Sequence, residues 1–398
     1  MNVKGVGFLY HLEEKEKQEI LQEMIQIRRN IHEDPELSTQ EHKTSKYIQS
    51  ILQSMEIQEH ILCDTGVVGL LEGEKSGKTL GIRADIDALS IQEKNDVSYI
   101  SKNPGVMHAC GHDGHAAMAL GAARILKKWK KNIKGNIKFL FQPAEEQYGG
   151  AKRMIQAGAL QNPAVDGIIA LHLWPDLLKG TIGSKEGAIM ASNDKIKIRI
   201  KGKSGHGAMP QTGIDALSVA ITFYQAVQQF QAREINPLAP AVITFGMLTA
   251  GTSYNIIPNE AVLQGTIRTT DEVIRDQIER RLEQILKSIC EMVGATYEWD
   301  YIRQYPVTNN HCDIVNRGKQ SASMVFEKDK ILTLDRPYMT AEDFSYFLQE
   351  IPGAMFFIGT KEEKYAYPLH HEKFNFDEKI LLDGALFLAI TAVQFLES

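Results

Sequence analysis

Apolar and polar residues recur along this chain with two different rhythms, and the change between them divides it. Residues 13–34 place Ile20, Met24, Ile27 and Ile31 on one helical stripe and stop at Pro35, which predicts an opening helix. A second helix is expected from Ser38, because Ser38-Thr39-Gln40-Glu41 has the form of a capping box. Apolar runs at 67–71, 79–84, 136–141 and 167–173 read as strands, and 116–130 reads as a helix among them. Strands alternating with helices predict an α/β fold with a mostly parallel sheet.

Near Gly187 the rhythm changes. Residues 195–200 alternate charged and apolar side chains, as a half-exposed antiparallel strand does. A helix over 214–232, strands at 241–248 and 261–268, a helix over 271–293 and a strand near 296–301 follow. Thr269 and Glu272 have the spacing of a capping box for that second helix. The order β-α-β-β-α-β is the split βαβ, ferredoxin-like pattern, able to fold as a small α+β domain. After Tyr305 the mixed pattern resumes, with a strand at 354–358. The expected organisation is therefore a large domain from residues 1–186 and 306–398, with an inserted domain at 187–305.

Composition agrees with two folded domains: 398 residues, 43% hydrophobic and 24% charged. A net charge of −6 argues against a nucleic-acid partner. The N-terminal run has no apolar core before its charges begin, so no signal peptide is expected. The apolar run 380–395 contains Asp383 and fits a buried helix better than a membrane span. Four cysteines, Cys63, Cys110, Cys290 and Cys312, suit thiols in a reducing cytoplasm better than a disulfide framework.

The densest chemistry is His108-Ala109-Cys110-Gly111-His112-Asp113-Gly114-His115, on a loop after Pro104-Gly105 and just before a helix. A thiolate and an imidazole two residues apart can reach one cation, whereas a merely polar loop has no need of so many donors. Gln142-Pro143-Ala144-Glu145-Glu146 follows a strand, where ligands of parallel sheets gather. One carboxylate there can hold metal while its neighbour handles protons; the bland reading is a solvated acidic pair. His172, in Leu171-His172-Leu173-Trp174-Pro175, ends another strand, although a lone histidine in an apolar run is more often a hydrogen-bonded core residue. Tyr367-Pro368-Leu369-His370-His371 offers two further imidazoles, and spacing does not choose between them. Arg83-Ala84-Asp85-Ile86-Asp87 ends a strand with two acids, either of which could orient a metal-bound imidazole. Structural zinc sites draw on close ligand pairs; candidates dispersed over several strand ends suit catalysis better. In the inserted segment, His206 sits between glycines, Asn255 lies on a polar loop and Arg268 ends a strand. Such groups can stabilise an oxyanion or clamp a carboxylate, or they are plain turn residues.

The runs IRADIDAL, MHACGHDGH, PAEE, LHLWP, GHGAMP, YNIIPNE, TIRT, AEDFS and PLHHEKF together resemble the aminoacylase/carboxypeptidase family of dinuclear metallohydrolases. Within it they are most similar to the N-acyl-amino-acid amidohydrolase, hippurate hydrolase and auxin-conjugate hydrolase branch. The likeness runs in order over nearly the whole chain. Ser90 departs from it, standing where the branch commonly has proline, which bears on loop rigidity.

The resemblance implies two divalent metal ions per subunit, of zinc, manganese, cobalt or nickel, bridged by Cys110. His112 and His172 would complete one ion, Glu146 and His370 the other. Glu145 would be the general base activating a metal-bridging water, and Asp87 would support the site from behind. His206 would reach the scissile carbonyl oxygen, while Asn255 and Arg268 would hold the substrate's carbonyl or carboxylate. The inserted domain would be lid and dimerisation surface, making a homodimer. The implied activity is cleavage of N-acyl-L-amino acids to a carboxylate and a free amino acid. A carboxypeptidase or dipeptidase on the same scaffold is the nearest alternative. A non-catalytic metal- or ligand-binding protein is a third, against which the paired Glu145-Glu146 counts.

Overall fold

A computed structural model describes residues 12–397; the expectation about a signal peptide concerns residues that lie mostly outside that range. Along the chain run helices α1 (Glu14–Glu33) and α2 (His42–Ser54), then strands β1 (Gln58–Leu62), β2 (Gly66–Glu72) and β3 (Lys75–Asp85). Helix α3 (His112–Trp129), β4 (Lys134–Gln142), α4 (Gly150–Gln156), β5 (Gly167–Leu178) and β6 (Ile182–Ser184) follow. Next come β7 (Asp194–Lys201), α5 (Ala216–Arg233), β8 (Ala241–Ala250), β9 (Glu260–Thr269), α6 (Glu272–Val293) and β10 (Thr296–Arg303). The chain closes with α7 (Cys312–Ala322), β11 (Ile331–Thr333), β12 (Gly353–Lys361) and α8 (Ile380–Leu396).

These elements form two compact units. The first runs up to Gly187 and takes in Asn309–Asp335 and the chain from Tyr346 on; the second is Ala188–Thr308 with Arg336–Ser345. In the first unit an eight-stranded sheet has the order β1-β2-β4-β3-β5-β12-β6-β11. Its centre is parallel: β3 pairs in parallel with β4 and β5, and β5 with β12. Parallel strands are sandwiched, so they read as unbroken apolar runs, and Ile168 to Leu171 of β5 are all buried. Helices α1, α3 and α8 pack on one another, and α3 and α8 also pack on β3. Gly121 lets α1 come close to α3, since a Cβ there would stand 2.5 Å from the sulfur of Met24. The apolar run near the C-terminus is indeed the buried helix α8, with Leu381, Ala385, Leu388 and Ala392 in the core.

The stripe expected on α1 is buried as read, and it extends to two polar residues, Arg28 and His32. The second helix starts later than the Ser38 signal suggested: α2 begins at His42, and Glu41 makes no side-chain cap. Ser38 and Glu41 spend their side chains elsewhere: Ser38 Oγ donates to Asp87 Oδ2 at 2.6 Å, and Glu41 accepts from the Ala144 amide at 2.9 Å.

The second unit has a four-stranded antiparallel sheet in the order β8-β9-β7-β10. With two helices interleaved as β-α-β-β-α-β, this is the split βαβ arrangement. Its core joins Ile196, Ile198 and Ile200 of β7 to Phe223 of α5 and to Ile278, Leu282 and Leu286 of α6. Arg275 of α6 grips Asp194 of β7 through two nitrogens, at 2.5 and 3.0 Å, and Tyr301 donates to the same carboxylate at 2.8 Å. The capping box expected at Thr269 is replaced by a cap two residues further on. Asp271 is the N-cap of α6 and accepts from Val273 N at 2.7 Å and Ile274 N at 3.3 Å.

Candidate metal centre

Strands β3 and β4 run in parallel and end in register at Asp85 and Gln142, so the loops carrying Asp87 and Glu145-Glu146 leave the sheet side by side. The loop before α3 brings Cys110 and His112 to the same place. Gly111 between them has φ +85° and leaves no room for a Cβ, which would sit 2.7 Å from Leu173 Cδ1. Only glycine fits that turn without strain.

Cys110 Sγ, His112 and Glu146 form one cluster whose donor atoms all lie within 4.8 Å of one another. His112 Nε2 stands 3.9 Å from Glu146 Oε1, and His370 Nε2 stands 3.3 Å from the same oxygen. His172 Nε2 lies 3.7 Å from Cys110 Sγ. The structure thus gathers Cys110, His112, Glu146, His172 and His370 from widely separated parts of the sequence. His371 is turned away: it stacks on Tyr367, ring centroids 4.4 Å apart, and its Nδ1 accepts from Lys373 N at 3.0 Å. Between the adjacent histidines, His370 is the one beside Glu146.

The hydrogen bonds around the imidazoles decide what they can do. His112 Nδ1 meets the Asp87 carbonyl at 2.8 Å, and His172 Nδ1 meets the Leu173 carbonyl at 2.7 Å. A carbonyl only accepts, so both rings carry a proton on Nδ1 and leave Nε2 as the atom that can ligate. A second group of donors, Asp85, His112, His115 and His172, is also close enough to hold a cation. Two of its members are already engaged. His115 Nδ1 lies 2.6 Å from Asp85 Oδ1, and its Nε2 accepts from Leu173 N at 2.9 Å.

A cation fits the first cluster on direct grounds. His112 Nε2 and Glu146 Oε1 are buried and have no hydrogen-bond partner, a costly condition unless something else pairs them. Burial opposes a charge on His112, yet Asp85, Asp87 and Glu146 raise its pKa to about 10. The surrounding carboxylates thus call for positive charge at this point, and a metal ion would displace the proton. Burial, then His115, push the His172 imidazole well below its usual range, so it is neutral and able to ligate. Asp85 is buried but is held well below the ordinary carboxylate range by His112, Arg83 and His115. A thiolate, imidazoles and a carboxylate form a donor set of borderline softness.

Asp87 is wholly buried and organises the other side. It accepts from Ser38 Oγ and from two successive amides, Glu145 N at 3.1 Å and Glu146 N at 3.0 Å. Burial opposes its ionisation, but His112, Ser38 and the Glu146 amide keep its pKa low. Glu145 is buried as well. Among the non-glycine residues with left-handed backbone are two at this site: Ala144, just before Glu145, with φ +56°, and His370 itself with φ +63°. Such conformations persist where surrounding contacts hold them, typically at functional sites.

His206, Asn255 and Arg268 lie in the second unit. His206 and Asn255 are neighbours on a two-stranded ribbon: His206 pairs with Ile256, and Gly207 N donates to the Asn255 carbonyl at 2.8 Å. Both side chains are exposed. Arg268 is on β9, half-buried, donating from Nη1 to the Met339 carbonyl at 3.2 Å. Sequence reasoning quoted His115 as one of three histidines in its motif and Arg83 beside the two acids without a role for either, and read Ser38 and Glu41 only as a helix cap. Arg83 and Asp85 were readable as a pair, since residues two apart on a strand share a face, and they meet at 2.7 Å.

Ligand-ready imidazoles, a thiol and a carboxylate, with a further carboxylate alongside, are the equipment of a metal-dependent hydrolase. His172 comes from the middle of β5, which runs on to Leu178, and not from a strand end as expected, while the other donors come from loops and the start of α3. The chain belongs to peptidase family M20/M25/M40, whose model matches residues 81–394. It is 42% identical over 379 residues to thermostable carboxypeptidase 2 of Saccharolobus solfataricus, covering 94% of this chain and 95% of that protein. It is 45% identical over 294 residues to an N-acyl-L-amino acid amidohydrolase of Geobacillus stearothermophilus, covering 73% of this chain and 79% of that one. The crystal structure of the Bacillus subtilis YXEP protein, described as a dinuclear metal-binding peptidase of the M20 family, superposes with a TM-score of 0.84. It shares 34% identity, covering 96% of this chain and 99% of that one.

Proposed function

We propose that this chain hydrolyses the amide bond of N-acyl-L-amino acids, with two divalent metal ions held by Cys110, His112, Glu146, His172 and His370. The observation that carries the reading is the pair of buried atoms without a hydrogen bond, His112 Nε2 and Glu146 Oε1, within the Cys110 cluster, next to the buried carboxylate of Glu145. When bound, the ions supply Lewis acidity that polarises the amide carbonyl and acidifies water. Glu145 takes a proton from the attacking water and delivers it to the departing amine nitrogen as the C–N bond breaks. The products are a carboxylate and a free amino acid. Asp87 keeps Glu145 and Glu146 in place through their amides. His206 is assigned to the carbonyl oxygen as it gains negative charge, and Asn255 and Arg268 to the substrate's carbonyl or carboxylate.

The amidohydrolase name of one relative favours an acyl amide, and the carboxypeptidase name of another favours a peptide as the second reading. Metal-reconstituted protein assayed on N-acetyl and N-benzoyl amino acids and on dipeptides separates them. Acyl amino acids should be turned over faster, with activity abolished by chelation and restored by added metal; a preference for dipeptides would replace the first reading with the second. Activity unaffected by thorough chelation would remove both.

The second unit is assigned the roles of lid and dimerisation surface in a homodimer. In its support, β8 is an edge strand, and Val242, Met247 and Leu248 on it are exposed, as are Ile221 and Tyr224 of α5. Light scattering should give twice the monomer mass. Among the described residues no helix is long and apolar enough to cross a membrane. A cytoplasmic setting is proposed because the Cys110 thiol must stay reduced to ligate.

A further inference from the structure

Three successive amides of the loop bearing the general base are gripped by two buried carboxylates from elsewhere in the chain. Asp87 takes the amides of Glu145 and Glu146, and Glu41 takes the amide of Ala144. Glu41 is completely buried. Its Oε1 accepts from Ala144 N and from Thr39 N, each at 2.9 Å, and its Oε2 accepts from Thr65 Oγ1 at 2.7 Å. Ala144 is also completely buried and sits at φ +56°, a left-handed conformation that is unfavourable for an alanine because its Cβ crowds the backbone. It is held there by Glu41 on its amide, by Gly150 N on its carbonyl at 3.1 Å, and by Asp87 on the two amides that follow. The φ and ψ of Ala144 set the direction in which the next residue projects, and the next residue is Glu145.

We infer that Glu41 is a positioning residue for the reaction: by holding the Ala144 amide in a left-handed turn, it aims the Glu145 carboxyl. This rests on Glu145 being the base. Reach at Oε1 is what the role requires, not charge. A glutamine at position 41 can place its oxygen on the Ala144 and Thr39 amides while its NH₂ donates to the Thr65 hydroxyl, which turns to accept. An aspartate keeps the charge but draws the oxygen back by one methylene.

The test compares Glu41→Gln, Glu41→Asp and Thr65→Val as metal-loaded full chains, reading kcat, KM, metal content, thermal stability and amide exchange at residues 144–146. Glu41→Gln should stay within a few-fold of wild type. Glu41→Asp should lose about 100-fold in kcat, the scale of a misplacement near 1 Å, with KM and metal content held and amide exchange accelerated. Thr65→Val, which removes only the Oε2 partner, should melt earlier while keeping kcat. Full turnover in Glu41→Asp despite loosened amides, or Glu41→Gln as impaired as Glu41→Asp, would overturn the positioning role alone. So would a kcat in Thr65→Val that falls in step with stability. A wild-type enzyme that hydrolyses neither acyl amino acids nor dipeptides would instead overturn the functional reading, and the positioning role with it.

Discussion

Two adjacent glutamates, one within the Cys110 donor cluster and one outside it, present the sharpest division of labour between residues. Glu146 Oε1 faces His112 and His370, whereas Glu145 is buried nearby with its amide on Asp87. Glu145→Gln preserves size and the amide contact but removes the proton acceptor. It should retain the metal complement of wild type and lose about 100- to 10,000-fold in kcat, the range expected of a general base. Elemental analysis alongside steady-state kinetics checks both halves, and wild-type turnover in this variant would exclude Glu145 as the base. The donors themselves were legible because the chemistry is concentrated in short motifs such as His108 to His115. Their supports were not. Arg28 is fully buried against Asp113 Oδ2 at 2.7 Å, 85 residues away, and His32 Nδ1 meets that same oxygen at 2.8 Å. On the helical stripe of α1, Arg28 and His32 look like solvated polar residues until α3 is packed on them. Nothing local signals that Asp113, next to His112, is held far below the carboxylate range: burial opposes its charge, but Arg28 and His32 outweigh it.

Helices and strands with a clear period were found where the apolar pattern placed them, because burial of a face is what sets the period. Their starts were less legible. Ser38 to Glu41 and Thr269 to Glu272 both match a capping box by residue type, and neither caps at the expected position. In the first, tertiary partners claim the side chains: Asp87 for Ser38, and Ala144 and Thr65 for Glu41. In the second, Thr269 donates to the Pro240 carbonyl at 2.9 Å, which leaves Asp271 to cap α6. Asp271→Ala should therefore cost about 1 kcal/mol, read as a shift of the second unit's unfolding in urea and as faster exchange at the Val273 and Ile274 amides. A capping role for Thr269 would predict the reverse, with those amides unaffected by loss of Asp271. Short strands such as β1, β6 and β11 escaped notice because three to five residues carry too little pattern to stand out from loops.

Helix α1 and the segment before α8 are tied together in the first unit, and the buried charges that do the tying give its stability a definite dependence on pH. Arg28 near the start reaches Glu378 at 3.1 Å and Asn375 at 2.9 Å near the end, under the rings of Tyr99 and Phe376. Asp113 and Glu93 there have lowered pKa values, so their contribution is lost as pH falls. Asp383, on the otherwise apolar α8, behaves oppositely: burial pushes its carboxyl up from 3.8 to about 6. Between those two values the folded chain holds a proton that the unfolded chain has released, so stability falls as pH rises through the window and stays lower above it. The shift corresponds to at most about 3 kcal/mol, and about 1–2 kcal/mol once partial exposure and the favourable field of the first helical turn are allowed for. Asp383→Asn removes the penalty without removing the shape. Its melting temperature should exceed that of wild type by a few degrees at pH 8, and the advantage should shrink towards zero at pH 4, where the wild-type carboxyl is protonated in the folded chain. Differential scanning calorimetry of the two proteins across that range tests this. An advantage that did not change with pH would mean that packing, and not the charge of Asp383, accounts for it.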